Sequence, residues 1–225
     1  MARLVWDQTG ERTYETGVKN GVLYVANTDG TYQNGVAWNG LVSVSENPTG
    51  AEATAIYADD MKYLNIISAE EFEATIEAYT YPDEFMLCDG SAMLGNAAVG
   101  ATTGVYVGQQ SRRSFGFVYR TTLGNDTVNN DYGYKLHIIY GAVASPSEKE
   151  YSTINDSPEA ITFSWDIKTT PIPVTGLKTT ATLVIDSTKI AAAKLTQIED
   201  SLYGSSSTEP TILLPDAIVA ILNAA

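Results

Sequence analysis

Along much of this chain apolar and polar residues alternate, the pattern of strands with one buried face. Tyr132, Tyr134, Leu136, Ile138 and Tyr140 alternate with Gly133, Lys135, His137 and Ile139. Ile161, Phe163, Trp165 and Ile167 alternate in the same way with Thr162, Ser164, Asp166 and Lys168, and Ala181, Leu183 and Ile185 repeat the period. Further strands are expected over residues 22–27, 40–45, 105–107 and 115–121. With 14 Tyr and 18 Gly spread through the turns, the pattern predicts a mainly β fold, a β-sandwich or related barrel.

Two segments follow a helical period instead. Over residues 188–203, Ala191, Leu195, Ile198 and Leu202 recur at spacings of four, three and four, with Ser187 placed as N-cap and Gly204 placed to end the helix. Residues 214–223, introduced by Pro215 after the link SSSTEP, read as a short second helix. Its apolar side, Ile218 included, fits either the chain's own core or a neighbouring subunit. The stretch FEATIEAYTYPDEF, residues 72–85, can be read two ways. Ser68 and Glu71 just before it have capping-box spacing, which favours a helix. From Phe72, however, Phe72, Ala74, Ile76 and Ala78 alternate with Glu73, Thr75, Glu77 and Tyr79, which favours a strand with an acidic face.

Residues 46–60, ENPTGAEATAIYADD, carry few strand or helix signals although they include Glu46, Ile56 and Tyr57. Loops above roughly 12 to 15 residues in a compact domain are usually functional. The N-terminal segment holds Leu4, Val5, Trp6 and Tyr14, too apolar for a free tail. Both segments are expected to be arms that pack on partners. No repeat of 20 to 50 residues is visible, which excludes a solenoid. The expected organisation is one domain, 1–225, with an N-terminal arm at 1–20, an inter-subunit loop at 46–60, a helix at 188–203 and a C-terminal arm at 204–225.

Charge narrows the function classes. Against 13 Lys and Arg stand 27 Asp and Glu, a net charge of −14. Nucleic-acid binding draws its affinity from cations that displace counterions, so this balance argues against it. No Lys or Arg occurs between Lys62 and Arg112, whereas Glu70, Glu71, Glu73, Glu77, Asp83, Glu84 and Asp89 do. A hydrophobic fraction of 44% can fill a core. No run of 18 apolar residues exists, and the first residues lack the apolar stretch of a signal peptide, so folding in a cytosol is expected.

Catalytic chemistry finds little to work with. His137 is the single histidine, no GxSxG, Walker A or GxGxxG motif occurs, and Cys88 with one histidine makes no zinc set. Glu73 and Glu77 on one strand face would stand about 13 Å apart, too far for a glycosidase pair. GNDTVNNDYG, residues 124–133, lacks the spacing of a calcium loop and reads as a hairpin turn. Cys88 has no neighbouring cation in sequence to activate it. No enzyme activity, cofactor or metal is expected.

Several separated motifs occur in order: WD at Trp6 and Asp7, YETGV from Tyr14, WNGL from Trp38, EAYTYPDEF from Glu77 with CDG from Cys88, GQQ from Gly108, and INDSPEAITFSW from Ile154. This set resembles the major tail proteins of long, non-contractile-tailed bacteriophages, over the chain up to about Asp186. The resemblance implies a β-sandwich with a flanking helix, and hexameric rings stacked into a virion tail tube around a tape-measure protein. It further implies tail-tip and tail-terminator partners, assembly in the host cytoplasm, no membrane contact, and a lumen through which DNA passes unbound. In that setting Glu73 and Glu77 are expected to line the lumen and repel DNA. Arg112 and Arg113 are expected at a subunit interface opposite a neighbour's acids, and Trp6, Glu46, Ile56, Tyr57 and Ile218 in other inter-subunit contacts. The alternative is a carbohydrate- or surface-binding β-sandwich module of a virion, acting through exposed Tyr and Trp.

Overall fold

The computed structural model describes residues 3–94, 104–154, 156 and 159–224. The last resemblance motif, at 154–165, and the ends of both arms fall partly outside them. The chain is mainly β. Its strands are β1 (Thr13–Val25), β2 (Val36–Trp38), β3 (Leu41–Glu46), β4 (Thr49–Gly50), β5 (Ala53–Ala58), β6 (Met61–Ile67), β7 (Glu70–Glu71) and β8 (Glu73–Ala78). A short helix α1 (Met86–Asp89) precedes β9 (Ala92–Met93), β10 (Tyr106–Val107), β11 (Phe115–Asn125), β12 (Asn129–Ala144), β13 (Phe163–Thr169) and β14 (Thr182–Asp186). Helices α2 (Ala192–Tyr203) and α3 (Pro215–Asn223) close the chain. Among the described residues no helix is long and apolar enough to cross a membrane.

One eight-stranded sheet runs in the order β2-β1-β11-β12-β13-β8-β3, with β14 also paired to β12. β12 belongs to both of its halves: Lys135 to Ile139 pair with β14, and Ala142 to Ala144 pair with β13. The change of partner occurs at Gly141, whose φ is +57°, where the β11 register also slips between Phe115 and Phe117. A bulge with glycine in the left-handed region bends a strand and raises its twist, which lets one strand turn a sandwich corner. A Cβ on Gly141 would lie 2.4 Å from the Thr170 carbonyl oxygen, so the two backbones need that glycine to meet.

Strand alternation divides the core in two. Leu23, Val25, Phe115, Phe117 and Ile139 face Ala74, Ile76, Trp165 and Ile167 across the sandwich, together with Trp38 and Phe85. Trp38 and Trp165 meet edge to face, ring centroids 5.5 Å apart. The opposite faces of β1, β11 and β12 present Val22, Tyr24, Val118, Leu136, Ile138 and Tyr140 to Leu195, Ile198 and Leu202 of α2 and Ile218 of α3. Sheet tyrosines also tie down chain ends that would otherwise leave carbonyls unpaired. Tyr24 donates to the Leu202 carbonyl, and Tyr140 donates to the Leu213 carbonyl at 2.7 Å.

Three expectations change in detail, and one double reading is resolved in favour of the strand. Helix α2 starts four residues later than its period suggested, because the Ser187 hydroxyl accepts the Tyr134 N–H at 2.9 Å and so completes the sheet instead of a cap. The residue 46–60 segment is not an irregular loop: it holds β4 and β5, and β5 pairs with β6. Ile218, expected between subunits, is 3% exposed and sits in the chain's own second core. The capping-box spacing of Ser68 and Glu71 forms no helix, since Glu70 and Glu71 pair with Thr49 and Gly50, and β8 follows directly as the alternation required.

Candidate functional site

Strand β8 alternates half-buried and buried positions, with Ala74, Ile76 and Ala78 in the core and Glu73, Thr75 and Glu77 on the outer face. Being paired on both sides, it sits in the middle of a β3-β8-β13 surface. The register brings Lys168 opposite Glu73, Asp166 opposite Thr75, and Ser43 and Ser164 opposite Glu77. Lys168 Nζ lies 3.1 Å from Glu73, Ser43 donates to Glu77 at 2.7 Å, and Thr75 donates to Asp166 at 2.7 Å. Lys168 is the one ammonium among Glu73, Glu77 and Asp166, so the face keeps a net negative charge.

Strands β5 and β6 form a two-stranded sheet of their own. Such a hairpin is marginal in water without a covering surface, and this one is apolar. Ile56, Leu64 and Ile66 share one face by register and are 39%, 41% and 53% exposed. Tyr57, Met61, Tyr63 and Ile67 are exposed as well, so no residue of β6 is buried. The turn is made by Asp59 and Asp60 with φ of +50° and +60°, a left-handed pair that Asp tolerates and that hairpin turns need. Ile56 and Tyr57 were legible in the sequence, whereas β6 was missed. Its signal was the run MKYLNII directly after an acidic turn pair. Leu4, Val5 and Trp6 of the N-terminal arm are likewise exposed.

Glu46, expected in an inter-subunit contact, also has partners within its own subunit. As the last residue of β3 it stays solvent-accessible, accepts the Tyr119 hydroxyl at 2.5 Å, and lies 3.5 Å from His137 Nδ1. On the other side of that ring Glu15 of β1 lies 3.4 Å from Nε2 and pairs with Lys135. Thr121 contacts Nε2 at 3.0 Å, and the Tyr119 ring stacks on the imidazole. His137, 9% exposed, therefore joins β1, β3, β11 and β12 at one end of the sandwich.

The contact with His137 is the main influence holding the Glu46 carboxyl below the ordinary glutamate value of 4.5, against burial and with help from Tyr119. For Glu15, burial pushes upward but hydrogen bonds from Lys135 and Thr121 outweigh it. Groups with lowered folded pKa stabilise fully above the unfolded value, and that stability is lost as pH falls through the folded one. Glu46→Gln keeps an acceptor for Tyr119 but removes the charge. Its melting temperature is expected to fall less steeply than that of the unsubstituted protein below about pH 4.5. Parallel melting curves down to pH 3 would show that Glu46 is not coupled to this cluster.

The motifs around Cys88 and Gln110 converge on a second place. Asp89, its side chain 4% exposed, receives Lys149 at 3.2 Å and the Ser91 N–H at 3.0 Å. The Arg112 guanidinium donates to the Asp89 carbonyl at 2.9 Å. Gly90, Gly108, Gln109, Gln110, Ser147 and Trp165 complete a cleft of about 460 Å³. Arg112 and Arg113 are both exposed, and among the described residues neither forms an ion pair with a carboxylate. Cys88 is fully buried, and burial first, then Asp89, pushes its thiol up to about 12 although Arg113 opposes this, so it is inert.

No family model and no curated protein matches this chain. Among solved structures, a chain of the 6-fold symmetrised cryo-EM structure of the anti-feeding prophage (AFP) baseplate aligns with it at 7% identity and a TM-score of 0.36. The alignment covers 83% of this chain and 100% of that one.

Proposed function

We propose that this chain is a structural, non-enzymatic virion protein, the subunit of a phage-type tail tube. In this reading it polymerises as stacked hexameric rings around a tape-measure protein, between tail-tip and terminator proteins. The observation that carries the proposal is the β5–β6 hairpin, exposed on both faces and rich in Ile, Leu and Tyr. A surface of that kind on a stable protein needs a partner, and a self-assembling tube supplies one in every copy. The ordered motifs resembling major tail proteins give the same answer independently. The β3-β8-β13 face is assigned to the lumen, with Glu73 and Glu77 toward DNA. Duplex DNA carries one negative charge per about 1.7 Å, so a carboxylate lining repels it where lysines would hold it by counterion release.

Electron microscopy of the concentrated protein tests this directly, with hollow tubes or six-fold rings expected. Subunits of net charge −14 repel one another, and the contacts that overcome this are mostly apolar. Tube formation is therefore expected to speed up as NaCl rises from about 0.05 M to 0.3 M, where the Debye length falls from about 14 Å to about 6 Å. A protein that stays a monomer at every salt concentration, even with tail tips added as initiators, and that binds sugars instead would favour the surface-binding alternative.

A further inference from the structure

The cleft around Arg112 runs against the charge of the whole molecule. In a chain with 27 acids and 13 bases, its charged lining consists of Arg112, Lys149 and Asp89. The Asp89 carboxylate is already committed, to Lys149 through one oxygen and to the Ser91 N–H through the other. Arg112 gives one N–H to a carbonyl, and its remaining donors meet no carboxylate among the described residues. A guanidinium is a planar fork matched to a carboxylate, so an open, charge-unpaired arginine beside a lysine selects for an acid. Pro146 adds exposed apolar surface to the same lining, and Trp165 lies buried beneath it.

The hairpin tip has the complementary chemistry. Asp59 and Asp60 form its turn, both exposed and without an ion pair among the described residues. They are flanked by Tyr57 and Met61, 70% and 64% exposed. β5 has six residues and β6 seven, and strands of that length span about 20 Å, long enough to reach a neighbouring copy. We infer that the β5–β6 hairpin of one copy docks on the next copy with its Asp59–Asp60 tip in the Arg112–Lys149 cleft. Tyr57 and Met61 then lie beside Pro146 at the rim of the cleft. This rests on the tube reading above and names the contact that would join its subunits. Salt weakens this local attraction, but the repulsion between whole subunits involves many more charges and dominates the net response.

The test is a charge swap read by light scattering and electron microscopy, with melting temperature as the control for folding. Asp59→Lys combined with Asp60→Lys, and Arg112→Glu alone, are each expected to slow tube formation at least about tenfold. An equimolar mixture of the two variants restores the contacts only where the two alternate, so the swap is combined in one chain, where recovery to within about threefold of the unsubstituted rate is expected. Because Arg112→Glu disturbs the Asp89 carbonyl, Asp60→Cys with Gln110→Cys provides a second measurement. Mild oxidation should then link copies into a covalent ladder. Variants that polymerise at the original rate, a combined swap that recovers nothing, or the absence of any ladder from assembled tubes would overturn the inference while leaving the tube reading in place. If the unsubstituted protein forms no tubes under any condition, the tube reading fails and the inference falls with it.

Discussion

Gly141→Ala is expected to destabilise the subunit by about 3 kcal/mol, lowering the melting temperature by about 6 to 12 °C for a domain of this size. Two effects add. The first is the left-handed φ of +57°, which any residue with a Cβ adopts at a cost of order 1 kcal/mol. The second is steric: the new methyl would sit 2.4 Å from the Thr170 carbonyl oxygen, and Thr170 donates its own N–H to the Gly141 carbonyl at 3.0 Å. Both contacts are backbone, so neither can be relieved by a side-chain rotation. Relief would require β12 to move away from the chain after β13, at the corner where it passes from one half of the sheet to the other. Gly176→Ala separates the two effects, since φ there is +78° and no atom lies within 4 Å of the added carbon. That variant should lose only about 1 kcal/mol. Thermal denaturation of both proteins decides the matter, and equal losses at the two sites would show that the corner does not depend on close backbone approach.

The same corner marks a limit of sequence reading. The alternation in Tyr132 to Tyr140, in Phe163 to Ile167 and in Phe72 to Ala78 announced strands with correct faces, because burial on one side of a sheet enforces a period of two. Alternation says nothing about where a strand changes partners, and Gly141 looks like any other glycine in a strand. Ser187 failed as a helix cap for a related reason. Its hydroxyl had two possible uses, and the Tyr134 N–H that claims it lies 53 residues away in the chain. Glu46 and His137 show the same thing at the level of the candidate site. One was assigned to a partner and the other to an unremarkable strand position, yet they meet across β3 and β12. The outer carboxylates of β8 needed no long-range information. Their position follows from local alternation, which is why Glu73 and Glu77 could be placed on a common face from the sequence.

If the chain builds a tube as proposed, Leu64→Lys combined with Ile66→Lys is expected to abolish tube formation while leaving the subunit folded. Both side chains belong to β6, every residue of which is exposed, and with Ile56 they make a continuous aliphatic face. Substituting solvent-exposed positions costs the monomer little, about 0.5 kcal/mol in either direction. The melting temperature should therefore stay within about 2 °C of the original. In an assembled tube the same residues would be covered. Burying a Leu or Ile contributes about 1.5 to 3 kcal/mol, so removing two from one contact costs at least about 3 kcal/mol before the penalty of burying two ammonium groups. That is more than a hundredfold in the association constant of every contact, and a ring must make several to close. The two added cations also bring the subunit closer to neutrality, which by itself would favour association. Charge repulsion and apolar burial thus predict opposite signs for this variant. Sedimentation of the folded protein distinguishes them: loss of all large species means that the hairpin drives assembly, and tubes of normal length mean that β6 faces solvent in the assembly and the joining surface lies elsewhere.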